Sequence, residues 1–187
     1  MRSCCRTGGN RFSDARRDAR THTLQRLHDH FVYLDEQIKA LDKELAGQLA
    51  DDDLGSRLLS LPCVGPITAS LLAVERGDGQ QYGCSRDFAA AVGLVPRQYS
   101  TGGKANLLGI SKRGDKHLRQ LLVQCARVYM QRLEHQKGTL ADWVRSLLSR
   151  RHSNVVACAL ANKLARIAWA IAVHHTQYEA GPDALNA

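Results

Sequence analysis

Seven apolar residues, Leu24, Leu27, Phe31, Leu34, Ile38, Leu41 and Leu45, recur at alternating intervals of three and four. That alternation puts all of them on one stripe of a helix, while Glu36, Lys39, Asp42, Lys43 and Glu44 fall on the other faces. The pattern predicts a helix of about 28 residues, about 40 Å long at 1.5 Å per residue. The run Ala50–Gly55, with three aspartates and a glycine, closes it. So long a stripe has to be covered, either by a sister chain in a coiled coil or by another part of the same chain.

Further along, shorter patterns alternate with punctuation. Leu58 to Leu61 belong to a short amphipathic helix that meets a turn of Pro62, Cys63, Val64, Gly65 and Pro66. Pro66 stands where it opens a small apolar helix through Arg76. This is the pattern of a helix-hairpin-helix, whose tight turn aims backbone N–H groups at a DNA phosphate. Its usual form has glycine at the first and third turn positions. Cys63 takes the first of them here, and its side chain is expected to limit both backbone approach and the left-handed conformation. Ser85 is a candidate cap for a helix through Phe88 and Val92 that Gly93 ends, and Asp115 caps the next. That next helix carries the stripe Leu118, Leu121/Leu122, Cys125, Val128/Tyr129 and Leu133, and Gly138 breaks it. Thr139 and Asp142 resemble a capping box before a helix that buries Trp143. Ser153 or Asn154 caps a last helix to His174, apolar on nearly all sides, which belongs in the middle of a bundle.

Only Leu94–Leu108 has room for strands, and short ones. The expected fold is therefore all-α: a long coiled-coil helix followed by a compact helical domain that contains a helix-hairpin-helix and a basic glycine-rich loop. The boundaries are a basic, disordered start over residues 1–20, the coiled-coil helix over 21–54, the helical domain over 55–175 and a flexible tail over 176–187.

Composition adds a partner. The chain has 187 residues with 26 Lys and Arg against 18 Asp and Glu, a net charge of +8, and aromatics make up only 5%. A basic balance favours nucleic acid or another polyanion. No apolar run approaches the roughly 18 residues of a membrane span, and the basic start has no apolar core of a secretory signal. The six cysteines (4, 5, 63, 84, 125 and 158) have no CxxC spacing and the eight histidines are scattered. These are expected to be reduced, mostly buried thiols of a cytoplasmic protein, with no metal site in this chain.

The charge concentrates in Val92–Arg119, VGLVPRQYSTGGKANLLGISKRGDKHLR. Arg97, Lys104, Lys112, Arg113, Lys116 and Arg119 against Asp115 leave +5 within 23 residues, a cluster able to neutralise several phosphates. Gly102, Gly103, Gly109 and Gly114 let the backbone come close to a ligand. Ser100 and Thr101 are hydroxyls inside this field, and a hydroxyl becomes a nucleophile only when a base, a cationic field or a metal activates it. Cations around a pentacoordinate phosphorus also stabilise the transition state. The segment lacks the GxxxxGK[ST] order of a P-loop. A solvated surface loop is the plain alternative.

Three blocks carry a resemblance: LLSLPCVGPITASLLAVE, then FAAAVGLVPRQYSTGGKANLLGISKRGDKHLRQLLVQCAR, then ALANKLARIAWAIAVHH. In order and spacing they resemble the C-terminal domain of the IS one-ten / IS one-sixteen family of bacterial insertion-sequence transposases. The resemblance implies a site-specific DNA recombinase with a RuvC-like N-terminal domain whose D-E-D-D carboxylates hold Mg²⁺. It also implies a serine nucleophile in the C-terminal domain, a bridge RNA as guide, and the preceding heptad helix as the coiled coil between the two halves. The family's serine directly precedes a glycine, four residues after an arginine. Thr101 is the better aligned and Ser100 the better nucleophile type, so both are candidates. The nucleic-acid-binding candidates are Arg97, Gly102, Gly103, Lys104, Lys112, Arg113, Lys116, Arg119 and Gly65. Asp14 and Asp18 do not resemble the carboxylate set, so Mg²⁺ is expected only with a separate N-terminal domain. On this reading the chain is a truncated or frameshifted transposase that binds insertion-element and target DNA, self-associates through residues 24–49, and is inactive alone. Two alternatives stand beside it: a non-catalytic helix-hairpin-helix DNA-binding protein, and a coiled-coil interaction protein whose charge is incidental.

Overall fold

A computed structural model describes residues 11–100, 103–104 and 106–179. The first half of the basic start and the tail beyond residue 179 lie outside these. The chain divides into two compact units, 1–44 and 45–187. The first unit holds most of a single helix, α1 (Arg11–Asp51), which begins ten residues before the expected boundary. Its stripe faces outward: Leu24, Leu27, Phe31, Leu34, Ile38 and Leu41 are each between 45% and 66% exposed. The polar faces hold one another, with Lys39 Nζ 2.6 Å from Asp35 and Gln25 donating to Asp29 at 2.9 Å.

The second unit begins within the last turns of α1, where Leu49 is buried. Asp52 then caps α2 (Asp53–Leu58) by accepting from the Gly55 N–H at 2.9 Å. Gly55 does not break the chain. It lies buried inside α2, where a Cβ would come within 2.5 Å of the Leu49 side chain. Next come α3 (Pro66–Arg76), α4 (Ser85–Val92), α5 (Lys116–Gln131), a 3₁₀ turn (Leu133–His135), α6 (Thr139–Leu148) and α7 (Ser153–His174). α7 packs against α2, α4, α5 and α6. Leu160, Ala161, Leu164 and Ala165 along it are fully buried. By length and composition alone α7 could cross a membrane, which corrects the expectation that no apolar run is long enough. Its place at the centre of the bundle accounts for its apolarity.

Two side chains from neighbouring elements fix the direction of the bundle. Asn162 of α7 donates to the Leu94 carbonyl at 3.3 Å. Arg119 of α5 donates to the Val92 carbonyl at 2.8 Å. The N-terminal turn of α5, the C-terminal end of α4 and the middle of α7 therefore meet. At the other end Arg57, 6% exposed, donates to the Ile171 carbonyl at 3.0 Å, pairs with Asp53 at 2.9 Å and lies 3.1 Å from His175 Nδ1. The segment after α7, expected to be flexible, is tied down through its described part: the Tyr178 N–H donates to Ser60 Oγ at 3.0 Å.

The fold is mostly helical but not all-α. β1 (Pro96–Gln98) and β2 (Leu107–Ile110) pair antiparallel, Pro96 with Ile110 and Gln98 with Leu107. The extra residue on β2 makes a bulge. The glycine-rich loop is thus a β-ribbon. Three helix caps also differ from expectation. Cys84, Gly138 and His152 occupy the cap positions, and Ser85, Thr139 and Ser153 are already helical. The Ser85 hydroxyl is buried and accepts from Arg166 at 3.3 Å, so it is not available to cap. Asp115 is the cap the sequence implies, accepting from the N–H groups of His117 and Leu118 at 2.8 and 3.0 Å. Trp143 is half-buried beneath Lys163, whose ammonium lies 5.0 Å from the ring centre. Burial, then the nearby Arg166, lowers the pKa of Lys163. Among the described cysteines Cys125 is buried, Cys63 and Cys158 are half-buried, and Cys84 is exposed, against the expectation of mostly buried thiols.

Candidate nucleic-acid interface

The ribbon is short and its strands are exposed, so its position depends on its base. Backbone bonds tie the two legs to each other and to α4: Leu94 N–H to Ala89 at 3.0 Å, Ser111 N–H to Val95 at 2.8 Å, Lys112 N–H to Gly93 at 3.1 Å and Asp115 N–H to Ala91 at 3.2 Å. Two glycines allow the legs to approach this closely. Gly93 and Gly114 both have positive φ, 78° and 95°. A Cβ on Gly93 would run into the Arg113 carbonyl, and one on Gly114 into the Ala91 carbonyl. Arg119 and Asn162 clamp the same base from α5 and α7.

Most of the expected site residues are brought together on this element. Arg97 lies on β1, exposed. Ser100 follows β1, exposed, and its Oγ accepts from the Gln98 side-chain amide at 2.8 Å. Gly103 has φ 80°, and Lys104 beside it is exposed. Lys112 is exposed with φ 56°, a left-handed conformation at a residue with a side chain, and Arg113 and Lys116 are exposed at the foot of α5. Thr101 and Gly102 lie outside the described residues. Arg119 is half-buried, and its guanidinium Nη1 is taken by the Val92 and Asp115 carbonyls at 2.8 and 3.2 Å. It holds the ribbon in place through Nη1, while no bond is made by its Nη2 and Nε donors among the described residues.

Gly65 stands elsewhere. It is the N-cap of α3, with φ −95° and no side-chain cap. α3 is fixed to α5 by Thr68 Oγ1 and Cys125 Sγ, 3.6 Å apart and both buried. Cys125 is nine residues beyond Lys116, about 13 Å along α5. The hairpin turn and the ribbon therefore engage α5 at different levels. Cys63 in that turn does adopt the left-handed conformation, φ 63°, despite its side chain. The turn is also packed. Burial pushes the Cys63 thiol upward in pKa, with Arg132 partly offsetting it and Cys125 adding to it. Burial likewise raises Cys125, against the Thr68 hydrogen bond, and raises Tyr178. Burial, with Tyr178 next, pushes Tyr129 up to about 12. Tyr178 is tied to the turn by its N–H bond to Ser60 Oγ at 3.0 Å.

Sequence reasoning did not find Asn162, Arg57 or Arg145 in their structural roles. Arg145 pairs with Asp142 at 2.8 Å and donates to the Leu133 and Gln136 carbonyls at 3.0 and 2.7 Å, fixing the connection between α5 and α6. Asn162 and Arg166 are polar interruptions in an otherwise apolar helix, and that is the one signal they leave in the sequence. Among the described residues no three of His, Cys, Asp and Glu stand close enough together to hold a metal ion.

Residues 55–140 match the model of the Transposase IS116/IS110/IS902 family. The chain is 65% identical over 155 residues to the transposase for insertion sequence element IS1328 of Yersinia enterocolitica, covering 83% of this chain and 46% of that protein. It is 43% identical over 158 residues to a probable family 20 transposase of Pseudomonas aeruginosa, covering 84% and 47%. It is 37% identical over 158 residues to the transposase for insertion sequence element IS1111A of Coxiella burnetii, covering 84% and 43%. The chain spans somewhat under half the length of these curated relatives. By this match and these relatives the chain belongs to the IS116/IS110/IS902 family of insertion-sequence transposases.

Proposed function

We propose that this chain is the DNA-handling portion of an insertion-sequence transposase, with the β-ribbon as the element that meets the DNA backbone. One observation carries the reading: an exposed ribbon bearing Arg97, Ser100, Lys104 and Lys112, held at its base by Gly93, Gly114, Arg119 and Asn162. Exposed cations on a fixed support suit a phosphate backbone, since release of condensed counterions drives such binding. The matching test is fluorescence anisotropy of the chain with insertion-end duplex DNA over a series of salt concentrations. Binding that weakens steeply with salt is expected. Binding that is absent, or indifferent to salt, overturns the reading.

On the same proposal Ser100 or Thr101 is the nucleophile. Its hydroxyl loses its proton to water as the oxygen forms a new ester bond to phosphorus, the strand's own P–O bond breaks, and the departing sugar oxygen takes a proton from water. Arg97 and Lys104 stabilise the charge that builds on the phosphate oxygens. The described residues do not fit a Mg²⁺ site, so no step is assigned to that metal here. Substituting Ser100→Ala and Thr101→Ala, separately and together, in a transposase that carries this segment with its own metal site assigns the role. A covalent protein–DNA adduct that persists in the double variant overturns it.

The exposed stripe of α1 serves self-association in this proposal, and a bridge RNA is a second nucleic-acid partner in the bacterial cytoplasm. Sedimentation of the chain tests the first: a monomer at micromolar concentration sinks it. A non-catalytic DNA-binding role remains the competing reading, and the double hydroxyl variant separates the two.

A further inference from the structure

The arginines and lysines of the second unit fall into two groups. Arg57, Arg119, Arg145 and Arg166 have guanidinium donors committed to carbonyls, hydroxyls or carboxylates within the protein, and Lys163 lies over Trp143. A second group is exposed and makes no side-chain hydrogen bond or ion pair among the described residues. It includes the ribbon cations and, away from the ribbon, Arg150 and Arg151 in the corner between α6 and α7. Bonds that do not use the two guanidinium groups fix that corner: the N–H groups of Arg150 and Arg151 both reach the Leu147 carbonyl, at 3.2 and 2.9 Å. His152 closes it by accepting from the Asn154 N–H at 3.2 Å.

The corner stands at the N-terminal end of α7, on the side of the ribbon base away from Arg57. Asn162 is at the level of the ribbon base, through its bond to Leu94. One turn further along α7, Arg166 is bonded to Ser85 at the start of α4, so α4 runs toward the N-terminal end of α7. The opposite end of α7 is the one held by Arg57 and followed by the docked Tyr178. From Asn162 back to Ser153 is nine residues of helix, about 13 Å, or about four base pairs of duplex at 3.4 Å each. A duplex that passes the ribbon base along the direction of α7 would span that distance without bending.

We infer that Arg150 and Arg151 form a second phosphate-contacting site for the same duplex DNA, so that the DNA path runs from the ribbon onto the corner between α6 and α7. This rests on the reading of the ribbon as the DNA-binding element. The two arginines position the duplex and take no part in chemistry.

Three purified chains are compared in anisotropy titrations with a duplex of insertion-end sequence and with single-stranded RNA of equal length. One is unsubstituted, one carries Arg150→Gln and Arg151→Gln, and one carries Arg127→Gln and Lys137→Gln. The last pair removes the same charge from exposed positions in the second half of α5 and in the connection that follows it. Far-ultraviolet circular dichroism establishes that all three are folded. Removing Arg150 and Arg151 is expected to weaken duplex binding roughly tenfold and to lower the slope of log K against log salt by about 1.8, at about 0.9 per phosphate contact. The control pair is expected to change the slope by less than half as much. The inference is overturned if the corner variant binds the duplex as the unsubstituted chain does, if the two variants lose affinity equally, or if the loss is confined to RNA. If the unsubstituted chain does not bind duplex DNA in a salt-dependent way, the ribbon reading fails and takes this inference with it.

Discussion

The ribbon at 96–110 and the turn at 59–65 both carry a sequence signature of nucleic-acid contact, and they are built in opposite ways. The ribbon exposes its side chains and constrains its backbone supports: Arg97, Lys104 and Lys112 are open, while a Cβ on Gly93 or Gly114 would strike a carbonyl. Past the exposed Leu59 and Ser60, the turn buries or half-buries its side chains and leaves its glycine open. Leu61 and Val64 are buried, Cys63 neighbours Tyr129, and nothing lies within 4 Å of a Cβ on Gly65. A glycine close to its neighbours reports a structural constraint, whereas an open one reports freedom or a ligand. Charge separates the cases further, because the ribbon has free cations and the turn itself carries none from Leu59 to Gly65. On the proposed reading the ribbon is the element offered to a partner, and the turn joins α2 to α3.

The same substitution at the two places breaks or sharpens this contrast. Gly114→Ala puts a methyl group against the Ala91 carbonyl at φ 95°, and a cost of about 4 kcal/mol is expected from strain and clash together. Gly65→Ala, with open space and φ −95°, should cost under about 1 kcal/mol, the size of a weakened N-cap. Urea unfolding of both variants gives the comparison. Equal losses would mean that the ribbon base is not the constrained element.

Binding supplies the next largest effect. Replacing Arg97, Lys104 and Lys112 together by Gln should weaken duplex binding about a hundredfold and lower the salt slope by about 2.7, three contacts at about 0.9 each. Gly65→Ala should leave the affinity unchanged. A binding loss at Gly65 matching that of the ribbon variant would restore the turn as a phosphate site. Arg119→Met tests the clamp. It removes donors 2.8 and 3.2 Å from the Val92 and Asp115 carbonyls and should cost about 2 kcal/mol, as for hydrogen bonds from a charged donor. Binding should weaken only through the misplaced ribbon, so a full loss of affinity with unchanged stability would make Arg119 a direct contact.

How legible each region is in the sequence depends on the range of the interactions that make it. The stripe of α1, the central α7 and the Asp115 cap follow from spacing within one helix turn, and the structure has α7 and that cap where the spacing puts them, with α1 covering the stripe but starting ten residues earlier. The ribbon shows in the sequence as charge and glycine but not as paired strands. Leu107 and Leu108 are adjacent and both exposed, so β2 has no in–out alternation to read. Arg119 counts as one more cation because the carbonyl it holds belongs to a residue 27 positions earlier, and Asn162 reaches back 68. Three caps read one residue late because Ser85, Thr139 and Ser153 have capping chemistry, while position in the chain assigns the role to Cys84, Gly138 and His152. For Ser85, the competing partner is Arg166, 81 residues away.

Alkali should act on the packed side. Burial raises the folded-state pKa of Tyr129 from 10.0 to about 12 and raises those of Cys63 and Cys125 from 9.0. Each group binds its proton more tightly in the folded protein. The stability it contributes is complete below the unfolded pKa and disappears as pH rises through the folded value. The urea midpoint should therefore fall from about pH 9 upward and continue to fall toward pH 12. Tyr129→Phe should flatten the portion above pH 10. A fall of unchanged steepness in that variant would show that the surroundings of the turn are not what holds the proton on Tyr129.

The smallest effect is at Cys63 itself. Its φ of 63° costs a residue with a Cβ about 1 kcal/mol or more, and glycine is free of that cost. Cys63→Gly also gives up the packing of a half-buried thiol. The two terms oppose each other, so the expected net gain in urea unfolding is below about 1 kcal/mol. The substitution makes the turn more like the glycine pattern of a phosphate-binding hairpin and removes the side chain that limits approach of a backbone. If the turn serves to join α2 and α3, duplex affinity and its salt slope stay where they were. A tighter complex in Cys63→Gly, with the ribbon intact, would mean that the turn is a phosphate site held back by one side chain, and the contrast between the two regions would be one of degree.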